Sequence, residues 1–345
     1  MGCDGCELWP SPNKLIAALV QVICTVTTTA GSTRKLSAIR KKVGAAVGSR
    51  ATSAIYSDRA KIADKLARRL GLAKAVRDDL VDVIRASCKC YAGLLGTMRA
   101  GHKGHAEQFE KPKLFPGRMA EAANWGAPPL QERAAKPWLR GGPRMIFISD
   151  MGDALSSNVA FEYLKEEIID AVASEPGRRH LWLWLSKRPA RMAKFGFWLR
   201  AQGIDWPDNL VAMTTVTSPA TAGRVAQLRK VPSRFKGLSC EPVFAPLTLN
   251  LSGIDWLIMG GGSDVLAEPF HVEWALRLRQ QCRKARTAFF LKQLGRAPMF
   301  KGKALKLADP HGGDWKEWRP GWKTREIPKR FRTATRVKPQ VAGKP

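Results

Sequence analysis

Between Arg144 and Leu291 short apolar runs alternate with longer amphipathic ones, and that rhythm limits the fold more than any other feature of the chain. Arg144–Ser149 (RMIFIS), Leu181–Leu185 (LWLWL), Leu210–Thr215, a run opening at Gly237–Ser239, Ile254–Met259 (IDWLIM) and Ala288–Leu291 (AFFL) each read as a strand. Helical stretches fall between most of them, over 159–172, 190–201, 220–229 and 272–284. Strands that are apolar at every position are buried on both faces, and strands separated by helices pair in parallel. The pattern predicts an α/β fold, a partial (β/α)6 barrel of TIM-like type.

In such folds chemistry gathers where the strands end. These ends read Ser149-Asp150-Met151-Gly152-Asp153, Ser186-Lys187-Arg188-Pro189, Thr214-Thr215, Cys240-Glu241-Pro242, Gly260-Gly261-Gly262-Ser263 and Lys292-Gln293. Helix capping explains one or two of them, Ser149 or Asp153. A buried ion pair is the plainer reading of Glu241 with Lys292. A polar or glycine group at every strand end points further, to a pocket. The glycines at 260–262 remove side chains where backbone can approach a ligand. No dinucleotide fingerprint and no Walker motif accompanies them.

Seven cysteines are present, four of them in two tight pairs: Cys3 with Cys6, and Cys88 with Cys90. Thiols so spaced can converge on one centre, and thiolates bind soft ions and iron–sulfur clusters. An odd count in close pairs does not suit a disulfide framework and fits a reducing, cytosolic setting. Cys24 and Cys282 sit in apolar contexts and read as buried; Cys240 ends a strand and stays open. No apolar run is long enough to span a membrane, and the apolar stretch 15–28 lacks the basic flank of a signal peptide.

Charge decides the partner class. Fifty-eight Lys and Arg against 29 Asp and Glu give +29, a field that draws polyanions, nucleic acid first. Four regions follow along the chain. Residues 1–13 carry the first cysteine pair. Residues 14–87 form a basic helical insertion, with Arg34, Lys35, Arg40, Lys41, Lys42, Arg59, Lys61, Lys65, Arg68 and Arg69; it is either a solvated amphipathic face or a DNA-facing one. Residues 88–294 hold the barrel. Residues 295–345 form a basic extension in which Trp315, Trp318 and Trp322 alternate with cations. Those tryptophans either stack on bases or pack as a strap on the barrel, the strap being favoured for Trp315 and Trp318. Beyond Lys329 the extension reads as disordered until bound.

One combination of motifs has a likeness. G-C-D-G-C-E-L-W at the start, C-Y-A-G at 90–93, the strand ends S-D-M-G-D, L-S-K-R-P, S-C-E-P and G-G-G-S, and F-F-L-K-Q-L-G at 289–295 resemble the phage-encoded radical-SAM-like proteins with a three-cysteine motif. Among these the chain is similar to the radical SAM isomerases of phage thymidine-hypermodification pathways. The likeness runs from residue 2 to about residue 318 and is interrupted by the basic insertion. It implies a barrel of the radical SAM type. It also implies a 4Fe-4S cluster held by Cys3, Cys6 and Cys90, with Cys88 the alternative third ligand, S-adenosyl-L-methionine on the open iron, and an external electron donor. The implied reaction is radical rearrangement of a glycyl adduct on thymine in DNA into an aminoethyl one, in the cytoplasm of an infected bacterial host. On this reading Asp150, Glu241 and Lys292 are the catalytic candidates. Asp153, Lys187, Thr215, Gly260 and Gly261 hold the cosubstrate.

The chain departs from the family in three ways. The usual C-x-x-x-C-x-x-C spacing is split here, and the strand that precedes the first cysteine in the family is missing or replaced. Where relatives often carry Gly-Gly-Glu, Gly262 stands, so Glu241 or Asp264 must supply that carboxylate. Two rivals remain: a zinc-stabilised nucleic-acid-binding protein, since four close thiols form a sound zinc set, and a radical SAM enzyme acting on RNA or a free nucleotide.

Overall fold

The computed structural model describes residues 12–29, 36–88, 90–102, 105–107, 109, 111, 113–136, 138, 142–148, 152–264 and 267–331. It divides into two compact units, Met1–Phe115 with Met151–Ser156, and Pro116–Asp150 with Ser157–Pro345.

The first unit is helical: α1 (Pro12–Thr29), α2 (Leu36–Val47), α3 (Thr52–Ser57), α4 (Arg59–Leu70), α5 (Lys74–Ser87) and α6 (Tyr91–Met98). Helix α4 shows why these segments coil. Ile62, Ala63, Leu66 and Leu70 recur at helical spacing and are buried, while Lys61, Arg68 and Arg69 stay in water. Gly71 ends the helix in the left-handed region, at φ 59°, where a side chain would strain. Lys42 of α2 donates to the Arg69 carbonyl at 3.3 Å, which brings the cations of α2 beside those at the end of α4. The core of this unit joins Leu15, Leu19, Ile23, Ile39, Val43, Leu66 and Leu80 with Cys88, Cys90, Ala92 and Phe109. Residues 88–115 therefore belong with the helices, and the unit boundary falls near 115 rather than at the expected 87/88. Packing makes the difference: Phe109 fills the space beside Gly96, where a Cβ would lie 2.9 Å from its ring.

The second unit opens with α7 (Arg118–Ala123) and α8 (Leu130–Ala135) and continues as strands and helices in turn. They are β1 (Met145–Ile148), α9 (Phe161–Leu164) running through a π turn (Lys165–Ile169) into α10 (Asp170–Ala173), β2 (Leu181–Ser186), α11 (Pro189–Ala201), β3 (Leu210–Thr215), α12 (Arg224–Arg229), β4 (Lys236–Cys240), β5 (Trp256–Gly260), β6 (Phe270–His271), α13 (Val272–Ala285) and β7 (Ala288–Gln293). Strands β1-β2-β3-β4-β5-β7 pair in that order, all in parallel, and the sheet curls into a half-barrel. The α/β partial barrel expected from the alternation is present. Among the described residues no helix is long and apolar enough to cross a membrane.

Side chains alternate across each strand, so the sheet has two distinct faces. Trp182, Trp184, Leu238, Cys240, Leu257 and Met259 lie on one of them. There Trp184 meets Phe195 of α11, with ring centroids 5.6 Å apart. The inner face carries Leu181, Leu183, Val211, Met213, Trp256 and Ile258, which cluster with Phe235 and Phe331.

A segment that follows β7 closes this inner face. After the small β8 (Pro298–Phe300) and β9 (Lys303–Ala304) pair, the chain returns along β7. Leu291 N donates to Thr324 O at 2.8 Å, and Glu326 N donates to Phe289 O at 3.0 Å. Phe331 then packs edge-on to Phe235 and Trp256, with centroids 5.1 and 5.7 Å apart. Trp318 and Trp322 are buried. The extension from 295 to 331 is thus a folded strap; residues 332–345 lie outside the described residues.

Phe331 replaces water at the floor of the half-barrel, so Phe331→Ala is expected to cost about 3–5 kcal/mol of stability. Every tryptophan but Trp9 lies in this unit, and urea unfolding followed by tryptophan fluorescence reads the loss. An unchanged midpoint would mean that the strap adds no core.

Candidate active site at the strand ends of the half-barrel

Inner-face parity carries through to the strand ends. Thr215, Ser239, Gly260 and Lys292 occupy the same alternate positions as the inner apolar residues of their strands. Lys187 and Glu241 continue that alternation one place beyond β2 and β4. An apolar inner face therefore becomes polar at its C-terminal rim, as a pocket in a parallel α/β unit requires.

Glu241 is the centre of this rim. Its Oε2 lies 3.6 Å from Lys292 Nζ and 3.5 Å from Ser239 Oγ. Its Oε1 is buried and has no hydrogen-bond partner among the described residues. Burial pushes the Glu241 carboxyl above the usual carboxylate range; the Lys292 charge and the Ser239 hydroxyl oppose that shift without cancelling it. Lys292 is 56% exposed against 18% for Glu241, so the pair adds little to stability. An acid that can hold its proton stands beside a cation that reaches water. That arrangement can give or take a proton and can bind an anionic group of a substrate.

The glycines have a packing role of their own. A Cβ on Gly260 would lie 2.9 Å from Glu241 Oε1, and one on Gly261 would lie 2.5 Å from the Leu294 carbonyl and 2.8 Å from Phe270. Gln293 anchors the same loop by donating to Gly261 O at 2.9 Å. The protein itself fills the space that these two glycines clear.

Other candidates are placed as follows. Thr215 is buried at the end of β3, and its carbonyl accepts from Arg224 at 3.1 Å. Lys187 lies in the short turn between β2 and α11. Asp153 falls in the helical unit, where its Oδ1 accepts from Leu155 N at 3.0 Å as a turn cap. Asp150, Cys3 and Cys6 lie outside the described residues. Ser239 and Gln293 join the rim beside these residues. Ser239 was signalled, being two places before Glu241 and hence on the same face of its strand.

Cys88 and Cys90 are both buried in the helical unit, and Cys90 forms the N-cap of α6. Cys90 thus stands at the positive end of a helix dipole, which suits a bound thiolate, whereas Cys88 caps the C-terminus of α5. No group of three or more metal-ligating side chains is gathered among the described residues; two of the four paired thiols are outside them. Cys240 and Cys282 are buried, and burial raises both thiols, Cys282 to about 12.

Fold and rim together define an α/β half-barrel protein with a carboxyl–lysine pair at its strand ends. Residues 81–338 match the family described as "Protein of unknown function (DUF5131)", and the chain belongs to that family. The match takes in Cys88, Cys90, the whole half-barrel and the strap; Cys3, Cys6 and α1–α4 lie before it. No curated protein and no solved structure matches the chain.

The raised Glu241 carboxyl has a consequence for stability. The folded state holds this proton more tightly than the unfolded chain does. The group therefore favours the fold below the ordinary carboxylate range, and that contribution is lost as pH rises through the raised folded value. Glu241→Gln keeps the shape and cannot ionise, so it is expected to flatten the fall in stability over that window and to run parallel to wild type below it. Urea unfolding across pH tests this; identical pH profiles would rule out a protonated Glu241 in the fold.

Proposed function

We propose that the protein is a radical SAM enzyme that rearranges an amino-acid-modified thymine in phage DNA, from a glycyl-thymidine to an aminoethyl-deoxyuridine type. The observation that carries this reading is the rim of the half-barrel. Glu241 sits there with one buried unpartnered oxygen beside Lys292, above an apolar inner face. The sequence motifs supply the rest of the support, with Cys3, Cys6 and Cys90 as ligands of a 4Fe-4S cluster, and Cys88 in reserve.

When bound, the cluster and S-adenosyl-L-methionine supply one-electron chemistry, fed by an external donor. The chain supplies the surroundings. Lys292 offers a cation for a carboxylate of cosubstrate or adduct. Glu241 holds a proton at Oε1 or Oε2 within reach of it. Lys187 and Thr215 line the same rim, and the inner apolar side chains exclude water, which a reactive radical needs. The basic face of α2 and α4 and the C-terminal extension hold the DNA. The thymine substituent projects into the major groove, so the adduct can be reached with or without base flipping.

Two measurements test the reading. Anaerobically purified protein is expected to contain iron and sulfide near one cubane per chain. Cys3→Ala, Cys6→Ala and Cys90→Ala are each expected to lose it, while Cys88→Ala keeps it. Stoichiometric zinc without iron would replace this reading with a zinc-stabilised nucleic-acid-binding protein.

The second measurement is on the product. DNA carrying a glycyl-thymidine adduct, incubated with reductant and cosubstrate and then digested, is expected to give a nucleoside of unchanged mass and shifted retention. Glu241→Gln and Lys292→Met are expected to abolish that product and leave the iron content intact. Turnover only on RNA or a free nucleotide would move the substrate away from DNA.

A further inference from the structure

The folded strap sorts its charges by sign. Every carboxylate between Gly295 and Phe331 is turned into backbone amides. Asp309 accepts from His311, Gly313 and Asp314 N–H at 2.9, 2.6 and 2.8 Å, and these bonds hold its carboxyl below the usual range. Asp314 accepts from Lys316 N at 3.0 Å. Glu317 takes the amides of Ala308 and Asp309 at 2.7 and 3.1 Å, and Glu326 takes that of Phe289 at 3.0 Å. The cations Lys301, Lys303, Arg319 and Lys323 are all exposed.

Three of these cations, Lys301, Lys303 and Arg319, are also drawn together, and Lys323 follows nearby in the chain. Lys301 and Gly302 form the turn between β8 and β9, both at positive φ, 51° and 73°, as the tight hairpin turns of antiparallel strands require. Glu273 of α13 fixes that turn by accepting from Lys301 N at 2.5 Å. Lys303 pairs across the hairpin with Phe300. Over the Phe300 ring stand Lys301 Nζ at 5.8 Å and the Arg319 guanidinium at 4.8 Å; Arg319 also lies 5.2 Å from the ring of Trp322, the neighbour of Lys323. The ring of Trp322 is buried, so it is not free to stack on a base. What this corner offers is preset positive charge, and the carboxylate beside it, Glu273, is turned into the Lys301 amide.

We propose that the β8–β9 hairpin tip, with Arg319 and Lys323, is a docking surface for the phosphodiester backbone of DNA, held by charge and without base recognition. Lys and Arg are the side chains that meet phosphate oxygens, and a fixed hairpin loses little freedom on binding. The proposal deepens the DNA-acting reading above by naming where the polymer is held, and it does not depend on the cluster.

The test is the salt dependence of binding to a mixed-sequence DNA duplex, measured by fluorescence anisotropy. Lys301→Asn, Lys303→Gln, Arg319→Gln and Lys323→Gln are combined in one variant; asparagine tolerates the positive φ. A second variant removes equal charge from other exposed positions of the same unit, through Arg178→Gln, Lys194→Gln, Arg200→Gln and Lys230→Gln. The hairpin variant is expected to lose about 0.9 in log–log slope for each phosphate contact removed. Its affinity at low salt is expected to fall roughly tenfold or more, with the control variant near wild type. Equal losses in both variants, no loss in either, or no DNA binding by wild type would overturn the proposal. A selective loss in the hairpin variant of a protein that contains no iron would uphold this surface and sink the radical reading.

Discussion

A parallel sheet that curls without closing leaves an edge and an inner face open to water, and in this protein the guanidinium of Arg325 governs how both are covered. It donates to the carbonyls of Leu291, Lys292 and Gly313 at 3.1, 2.6 and 2.8 Å. It also lies against the rings of Trp138, Trp315 and Trp318 at 4.4, 5.2 and 4.9 Å. Desolvation works against the charge. A guanidinium nevertheless stays protonated, and the ring faces and carbonyl oxygens offset the loss of water. The bonds to β7 register the strap on the open edge, which blocks strand addition there. They also reach the site, because the Lys292 carbonyl held by Arg325 belongs to the residue that faces Glu241.

The half-barrel was legible because its strands are apolar on both faces. LWLWL and the run at 210–215 announce themselves without help from the rest of the chain. At Ile254–Met259 the ladder starts two places later than the apolar run does. Asp255 is occupied in accepting from Lys236 N at 2.9 Å, and Trp256 is the first residue in register with β4. The strap was harder to read. β8 and β9 are too short to show a period, and the buried tryptophans are embedded among cations that composition assigns to solvent. Residues 88–115 were given to the barrel because their place in the helical core rests on contacts such as Phe109 with Gly96, which local patterning does not encode.

The polar rim of the half-barrel could be read from strand ends and parity, which put Thr215, Glu241 and Lys292 on one face. The role of the glycines could not. Of the neighbours of Gly261, Phe270 comes nine residues later and Leu294 thirty-three, and only the folded structure shows that the protein occupies the space the glycines leave. Asp153 illustrates the opposite case. Both of its readings, cap and pocket residue, were open in the sequence, and the structure adds a hydrogen bond from Leu155 N to its carboxylate.

The strap also sets an order in time. Phe290 of the edge strand is made well before Phe331, and at about 5–20 residues per second the gap between them is roughly 2–8 s. Helices form within microseconds, whereas parallel pairing waits on the closure of long loops and is slower, so whatever sheet assembles in that interval lacks a floor on its inner face. During that interval the nascent chain exposes Trp256, Phe235 and an unpaired β7 to everything around it. Late synthesis of the strap prolongs the interval in which apolar surface and an unpaired strand edge invite aggregation.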